Sequence, residues 1–229
     1  MNYAILGGSI LSCRLAELLN SENEVYLVDS RMELGMPTTD IGLLHDCKIL
    51  SHFMNESKLN YANHDNNGIR SEWVAKFYAH YLTSIGVNIF TRSKIQKSND
   101  GIEVISTGNM EKIVLEKCKI IDLRQISGDI RMGESQESAP LEIHSPLDYS
   151  NYIERQGAII SSKEEFEDLD VDIIRSDGTR EIWWKSPVKI QSENGFLERM
   201  TNFGPIDADH ISIDHLFRLA NQIFEELSN

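Results

Sequence analysis

The chain of 229 residues is long enough for one large domain, or for one domain that carries a smaller insertion. Its 41% hydrophobic and 25% charged residues are typical of a globular protein and exclude collagen-like and disordered chains. The excess of 36 acidic over 22 basic residues gives a net charge of -14, which would repel a nucleic-acid backbone or an anionic membrane surface. We therefore expect no nucleic-acid partner.

The cysteines and the N-terminal residues indicate the compartment. Cys13, Cys47 and Cys118 are odd in number and have no CxxC spacing, which disfavours a disulfide framework. No apolar stretch approaches the ~20 residues of a membrane span, and the first residues lack the basic start of a signal peptide. We expect a cytoplasmic protein without a membrane span.

The N-terminal segment predicts a strand, a glycine turn, a helix and a second strand. Apolar runs at 3–7 and 24–28 are typical of buried parallel strands, and a helical apolar stripe lies between them. Ser9 is placed to cap that helix. Asp29 follows the second strand directly, where a carboxylate can accept hydrogen bonds from an adenosine ribose. This order predicts an α/β, Rossmann-like dinucleotide-binding unit.

The turn before the helix departs from the glycine-rich pattern of such units. It reads Gly7-Gly8-Ser9-Ile10-Leu11-Ser12, so G-x-G-x-x-G is retained only as G-x-S-x-x-S. Gly7 can make the tight turn, whereas a Cβ at Ser9 narrows the approach of a pyrophosphate to the backbone amides. The sequence therefore predicts weakened phosphate binding. A doubly wound protein whose turn merely contains glycines is the alternative.

Two further segments carry a family resemblance. The run Glu33-Leu34-Gly35-Met36-Pro37, followed by Gly42, resembles the E-[IL]-G-x-P segment of geranylgeranyl-reductase-like flavoproteins. In residues 70–90 an arginine, an amphipathic helix, a glycine and a strand follow in the order of that family's next element. The resemblance implies a glutathione-reductase-type FAD/NAD(P)-binding fold with FAD as cofactor. It also implies NAD(P)H as a candidate electron donor and a small or prenyl-like organic substrate.

The same resemblance places the FAD site. The cofactor-binding residues that it implies are Gly7, Gly8, Ser9, Ile10, Leu11, Asp29, Ser30, Arg31, Arg70 and Asp207. Gly7, Gly8 and Ser9 would face the pyrophosphate. Asp29 would bind the ribose, and Arg70 would lie near the pyrophosphate or the flavin. Asp207 begins a segment similar to the G-D-A-A-H run that holds the ribityl chain in related flavin enzymes. No catalytic residue is assigned, because a flavin supplies the redox step itself.

Residues 71–123 predict a helix and four strands. Ser71 is placed to cap the helix and Gly86 to end it, with a strand at 87–90. A β-meander, which the resemblance also implies, then follows as strands at 94–98, 101–108 and 112–123 with turns at 99–101 and 108–109.

The second half of the chain predicts a small antiparallel sheet. Residues 152–162 and 171–188 alternate apolar and polar types, and Asp177-Gly178 is a type I′ hairpin signal. Trp183 and Trp184 must point to opposite faces of one strand, so one could line a pocket, although core packing of both is as well supported. The acidic run at 163–172 predicts a solvated face.

The last segment predicts an amphipathic helix over 213–227, capped by Asp209 or Ser212. We assign residues 1–130 and 196–229 to the FAD/NAD(P)-binding domain, and residues 131–195, which begin in a polar loop, to the substrate-facing sheet.

Two other functions stay open. The fold could persist as a non-catalytic scaffold or subunit that has lost the cofactor and binds a protein partner or a second copy of itself. The G-x-S-x-x-S turn and the bulky Leu123-Arg124 at the end of the meander support this hypothesis. An NAD(P)-dependent enzyme without flavin fits Asp29 equally well, but it gives no reason for the segment at 33–37.

A metal site is the weakest candidate. The residues that could form it are Asp207, Asp209, His210, Asp214 and His215. The two histidines are not at the i, i+4 spacing that places two imidazoles on one helix face, so we predict no metal.

Overall fold

The computed structural model describes residues 2–37, 39–64, 68–98, 101–106, 112–115, 117–127, 143–161, 164–175 and 177–228. The strands in chain order are β1 (Asn2–Leu6), β2 (Glu24–Val28), β3 (Asn63–His64), β4 (Gly68–Ile69), β5 (Asn88–Phe90), β6 (Ser93–Ser98), β7 (Gly101–Ser106), β8 (Lys112–Leu115), β9 (Cys118–Asp122), β10 (Ile143–His144), β11 (Tyr152–Ile160), β12 (Val171–Ile174), β13 (Arg180–Lys185) and β14 (Glu198–Pro205). The helices are α1 (Ile10–Leu19), α2 (Glu56–Ala62), α3 (Ser71–Ser84), α4 (Arg124–Ser127) and α5 (Ile213–Ser228).

Five strands form a parallel sheet in the order β10-β9-β1-β2-β5, with β1 at its centre. The predicted β1–α1–β2 unit is confirmed, and β2 has the predicted bounds. Because β1 is flanked by strands on both sides and by layers on both faces, its residues from Ala4 to Leu6 are fully buried. The carboxyl end of this central strand leads directly into the turn that begins with Gly7.

Two layers enclose this sheet, one on each face. Helix α1 packs against both α3 and α5 on one face, where the largest apolar cluster lies. The β6–β8 meander covers the other face with Ile102, Val104 and Leu115. The predicted mixed α/β class, with parallel and antiparallel sheets, is confirmed. None of the described helices has the length and apolar character needed to cross a bilayer.

Helix capping partly follows the sequence predictions. Ser9 caps α1 as predicted, because its Oγ accepts a hydrogen bond from the Ser12 amide at 3.2 Å. The predicted Ser71 cap of α3 is wrong, since Arg70 is the N-cap residue and the Ser71 hydroxyl donates instead to the Asp40 carbonyl at 2.6 Å. Gly86, at a φ of +96°, lies just past the end of α3 as predicted.

The predicted third strand of the meander, 112–123, is two strands. β8 completes the meander by pairing with β7, whereas β9 crosses to pair in parallel with β1. Lys117, at a φ of +53°, lies between them. The two strands differ in burial, since most of β8 is exposed, as in a half-solvated strand, whereas Ile120 and Ile121 of β9 are buried in the central sheet. Most of the predicted turns at 99–101 and 108–109 lies outside the described residues. The same holds for the polar loop predicted at 126–142, except for its first two residues, which belong to α4 instead.

A four-stranded antiparallel sheet has the order β12-β13-β11-β14. The predicted hairpin between β12 and β13 is confirmed, with Gly178 at a φ of +80°. The predicted type I′ turn is wrong, because the Arg175 amide donates to the Thr179 carbonyl at 2.8 Å and this register excludes a two-residue loop at Asp177-Gly178. Trp183 and Trp184 lie on opposite faces and both are buried, so the core interpretation holds for both. Asp170 departs from the predicted solvated acidic run, because it accepts a hydrogen bond at 2.7 Å from the fully buried Arg155.

The C-terminal helix α5 extends the predicted range by one residue and buries its apolar face against α1. Ser212, one of its two predicted caps, accepts a hydrogen bond from the His215 amide at 3.3 Å.

Candidate functional site

The β1–α1 turn, residues 7–11, lies at the carboxyl end of the central strand, where parallel α/β sheets bind ligands. Gly7 has a φ of +94°, and its amide donates to the Val28 carbonyl at 2.9 Å. A Cβ built on Gly7 would lie 2.3 Å from the Ser127 hydroxyl and 3.0 Å from the Arg124 Cα. The short helix α4 therefore rests directly on the turn.

Asp29, the predicted ribose-binding acid, has both carboxylate oxygens engaged. Its Oδ2 accepts from the Gly8 amide at 2.5 Å, and its Oδ1 accepts from the Arg31 amide at 2.7 Å. The Arg31 guanidinium adds Nε at 3.0 Å from Oδ1 and Nη2 at 2.6 Å from Oδ2. Asp29 is 0% exposed. Five hydrogen-bond contacts to one buried carboxylate leave no accessible acceptor for a ribose hydroxyl.

The Arg31 side chain connects the end of β2 with helix α4 and with the segment that follows β2. Arg31 lies shortly after β2, and its Nη1 donates to the Ser127 carbonyl at 2.8 Å and contacts the Thr39 hydroxyl at 3.4 Å. Only 10% of the side chain is exposed. Arg31 thus covers Asp29 and joins α4 to the segment after β2.

Asp40 occupies the amino end of α1. Its Oδ2 accepts from the Ile10 amide at 2.8 Å, and the residue is 3% exposed. Burial raises the pKa of Asp40 to about 6, against the opposing effects of the Ile10 amide and Arg31. The amino end of a helix is the position at which dinucleotide folds bind phosphate. Here a carboxylate of the same chain takes that position.

The antiparallel sheet holds the segment that carries Asp40. The Glu181 Oε1 accepts from the Gly42 amide at 2.9 Å and from the Trp183 indole at 2.7 Å. The Asn202 amide group donates to the Thr39 carbonyl at 2.7 Å. Burial raises the pKa of the Glu181 carboxyl to about 7. The antiparallel sheet therefore fixes Asp40 through its chain neighbours Thr39 and Gly42.

The structure brings most of the predicted site residues together. Residues 7–11, Asp29, Ser30 and Arg31 lie around one turn. Arg70 makes its contacts at the start of α3, with Glu72 and Asp177. Asp207 is 54% exposed in its side chain, and its Oδ1 caps the short turn Ala208–His210.

Sequence reasoning missed Thr39, Asp40 and Ser127 at this site. Thr39 and Asp40 lie between Pro37 and Gly42, inside the segment that carries the family resemblance. The acidic residue Asp40, close to Ile41 and Gly42, is the one feature of the sequence that could have indicated a role at this site. Ser127 contacts Gly7 only through tertiary packing, which no local pattern announces.

The arrangement does not fit a bound FAD. A pyrophosphate at the amino end of α1 would compete with the Asp40 carboxylate for the Ile10 amide. A ribose would have to displace Arg31 from Asp29. A flavin here therefore requires that the segments carrying Arg31 and Asp40 first move.

The histidines beside α5 form a pair. His210 and His215 have ring centroids 4.7 Å apart, and burial, aided by the neighbouring His210 and Arg218, lowers the pKa of His215 to about 4. The Asp214 carboxylate accepts from the His45 and Asp46 amides at 2.8 and 2.9 Å. Among the described residues no group of three or more metal-ligating side chains lies close enough together to hold an ion.

No family model matches the sequence, and no curated protein matches it either. Solved structures are similar in fold. A geranylgeranyl bacteriochlorophyll reductase-like protein from Thermoplasma acidophilum is 12% identical with a TM-score of 0.59, over 99% of this chain and 79% of that one. A flavoprotein/dehydrogenase from Cytophaga hutchinsonii is 10% identical with a TM-score of 0.54, over 100% and 79%. Glycine oxidase from Bacillus cereus is 10% identical with a TM-score of 0.52, over 98% and 95%. At 10–12% identity, these likenesses show the fold alone.

Proposed function

We propose that this chain is a non-catalytic member of the FAD/NAD(P)-binding fold and that it works by binding a partner. The β1–α1 groove, the space around residues 7–11 in which a dinucleotide would lie, is filled by side chains of the chain itself. The observation that carries the proposal is the Asp40 carboxylate on the Ile10 amide, where a pyrophosphate would bind. The Asp29–Arg31 pair supports it independently, because it closes the ribose position.

The energetics of the groove favour this closed state. Arg31 and Asp29 form a buried ion pair, and removing one partner of such a pair typically costs about 3–5 kcal/mol. A dinucleotide that displaced Arg31 would have to replace these contacts with its own. FAD carries two phosphates, so it would also bring negative charge towards Asp40 and Asp29. Closure thus opposes cofactor binding both sterically and electrostatically.

The first experiment is an absorption spectrum from 300 to 550 nm, recorded before and after addition of FAD and removal of the excess. The proposal expects a colourless protein that retains no FAD. Flavin bands near ~450 nm at about one FAD per chain would overturn it. A calorimetric titration with ADP extends the test to the hypothesis of an NAD(P)-dependent enzyme, because FAD and NAD both contain ADP.

A gain-of-function variant sharpens this result. The double variant Arg31→Ala with Asp40→Gly removes both the guanidinium that covers Asp29 and the carboxylate at the amino end of α1, and it should open the turn to a ligand. We expect measurable ADP binding by the double variant and none by the wild type. Glu22→Gln, an exposed position beyond the other end of α1, serves as the matched control.

The second candidate is a flavin-dependent oxidoreductase, favoured by the fold likeness to flavoproteins. In that case the residues around the β1–α1 turn would hold FAD after the groove opens. The flavin would supply redox chemistry on a small or prenyl-like substrate, with NAD(P)H as electron donor. The chain's own part would be to bind and orient the cofactor. Retention of FAD in the first experiment would establish this candidate over the first.

A further inference from the structure

A second concave site, which we call the α3 cleft, lies between the start of α3 and one end of the antiparallel sheet. Its volume is about 390 Å³, within the range of roughly 300–1,000 Å³ that is typical of small-molecule sites. The segment after β2, helix α3, the β12–β13 hairpin and the start of β14 all contribute to its walls. The residues that the inference uses are Met36, Arg70, Trp73, Arg175 and Leu197. None of residues 7–11 lines it.

The polar end of the cleft holds two arginines and a buried donor without a hydrogen-bond partner among the described residues. Arg70 donates from Nε to the Glu72 Oε1 at 2.9 Å, and its Nη1 lies 3.4 Å from the Asp177 carboxylate. Arg175 pairs with the same Glu72 oxygen. Its side chain is only 5% exposed, and its Nε has no hydrogen-bond partner among the described residues. Arg175 therefore keeps a buried N–H donor without a protein acceptor, whereas the Arg70 side chain is 20% exposed.

The opposite wall is apolar and exposed. Met36 is 42% and Leu197 63% exposed. Trp73 also lines the cleft, with the Arg70 guanidinium 5.5 Å from its ring centroid. The cleft therefore combines an apolar platform with two convergent cationic groups.

We propose that the α3 cleft binds a small organic carboxylate, with its apolar body on Met36, Trp73 and Leu197 and its carboxylate on Arg70 and Arg175. A carboxylate matches the planar donor fork of arginine, and such charge-assisted hydrogen bonds are the strong ones. Asp177 and the Oε1 atom of Glu72 already accept from arginine, whereas the buried Glu72 Oε2 has no hydrogen-bond partner among the described residues. This site goes beyond the closed groove, since it holds whether or not FAD binds at the turn.

Glu198, at the rim beside Leu197, makes an amine the competing ligand class. The test therefore uses three probes with one apolar body: 3-phenylpropionate, its neutral amide and 3-phenylpropylamine. Calorimetry measures affinity, and Trp73 fluorescence reports occupancy because the other two tryptophans are buried. We expect the carboxylate to bind about tenfold more tightly than either analogue.

Two variants locate the binding. Arg70→Gln should weaken carboxylate binding about tenfold, and Leu197→Ser should weaken all three probes. Lys112→Gln, on the meander, is the matched charge control and should change nothing. The proposal is overturned if the carboxylate does not bind, if the amide or amine binds as tightly, or if Arg70→Gln leaves its affinity unchanged. Arg175 is left intact because its burial makes a folding defect the expected result of replacing it.

Discussion

The β1–α1 groove and the α3 cleft differ in whether the hydrogen-bonding capacity of their charged groups is satisfied within the chain. In the groove, Asp29 and Asp40 are buried and satisfied by donors of the same chain. In the cleft, Arg70 and Arg175 share one carboxylate oxygen and face open space beside exposed apolar side chains. A fold can thus keep the shape of a ligand site while saturating it internally. A ligand is more reasonably sought where donors and apolar surface are left over.

The largest effect should come from breaking the satisfied groove. Asp29→Ala leaves the Arg31 guanidinium and the Gly8 amide buried without their acceptor, so we expect a loss of about 3–5 kcal/mol in the free energy of unfolding. Urea denaturation measures it, with Asp207→Asn as the exposed control. A loss below about 1 kcal/mol would mean that Asp29 is reserved for a ligand rather than for the fold.

The next effect concerns pH. Because the pKa of Asp40 is raised from 3.8 to about 6 in the folded protein, its protonated form is favoured by folding, and that stabilisation is lost as pH rises through about 6. At 1.36 kcal/mol per pKa unit the full contribution is about 3 kcal/mol, and the part that should be lost between pH 4 and pH 8 is about 2.4 kcal/mol of the free energy of unfolding. Asp40→Asn keeps an acceptor for the Ile10 amide and has no charge to bury, so it should be more stable than the wild type at pH 8.

Comparing the two proteins at each pH isolates Asp40. Glu181, with a pKa raised to about 7, contributes a decline of the same sign in both proteins and therefore cancels in the comparison. Parallel stability curves for wild type and Asp40→Asn would show that Asp40 does not titrate in this range.

A smaller effect should reveal the contact between Gly7 and α4. Gly7→Ala places a Cβ at positive φ and 2.3 Å from the Ser127 hydroxyl, so we expect a loss of about 1–3 kcal/mol. Removing that hydroxyl in Gly7→Ala with Ser127→Ala should recover at least ~0.5 kcal/mol relative to additivity. Additive losses in a double-mutant cycle would argue that α4 does not rest on the turn in solution.

The smallest change in stability belongs to the cleft. Leu197 is 63% exposed, so Leu197→Ser should alter the free energy of unfolding by no more than about 0.5 kcal/mol. Thermal denaturation checks this directly. A large destabilisation would identify Leu197 as part of the fold and remove it from any binding surface. The contrast with Asp29→Ala is the sharpest single measure of how differently the two regions are built.

Local patterns predicted much of the fold. The apolar run at 24–28 gave a strand with the right bounds, because burial on both faces needs a continuous apolar segment. Ser9 and Gly86 were correctly placed at helix ends, since capping is a local hydrogen-bonding problem. The division of 112–123 into two strands was missed because both halves favour extended structure, and their separation depends on which sheet each one joins.

The sequence predicted which residues lie together at the candidate site, but it did not predict that their hydrogen-bonding groups are occupied by other residues of the chain. Residues 7–11, Asp29 and Arg31 do lie together, because strand, turn and helix fix their relative positions. Arg70 instead contacts Glu72 and Asp177 beside the α3 cleft. The assignment of these residues to FAD, and the proposed domain boundaries, stay predictions.

By itself, the amino-acid sequence determined the α/β architecture, the β1–α1–β2 unit and the antiparallel sheet, because periodicity, turn chemistry and capping act over a few residues. Only the tertiary structure decided what the turn contacts. Asp40 lies 30 positions from Ile10, and Arg31 lies 96 from Ser127, yet each pair is hydrogen bonded. Whether a glycine turn faces a cofactor or a carboxylate of its own chain is settled by such long-range packing, which no local pattern encodes.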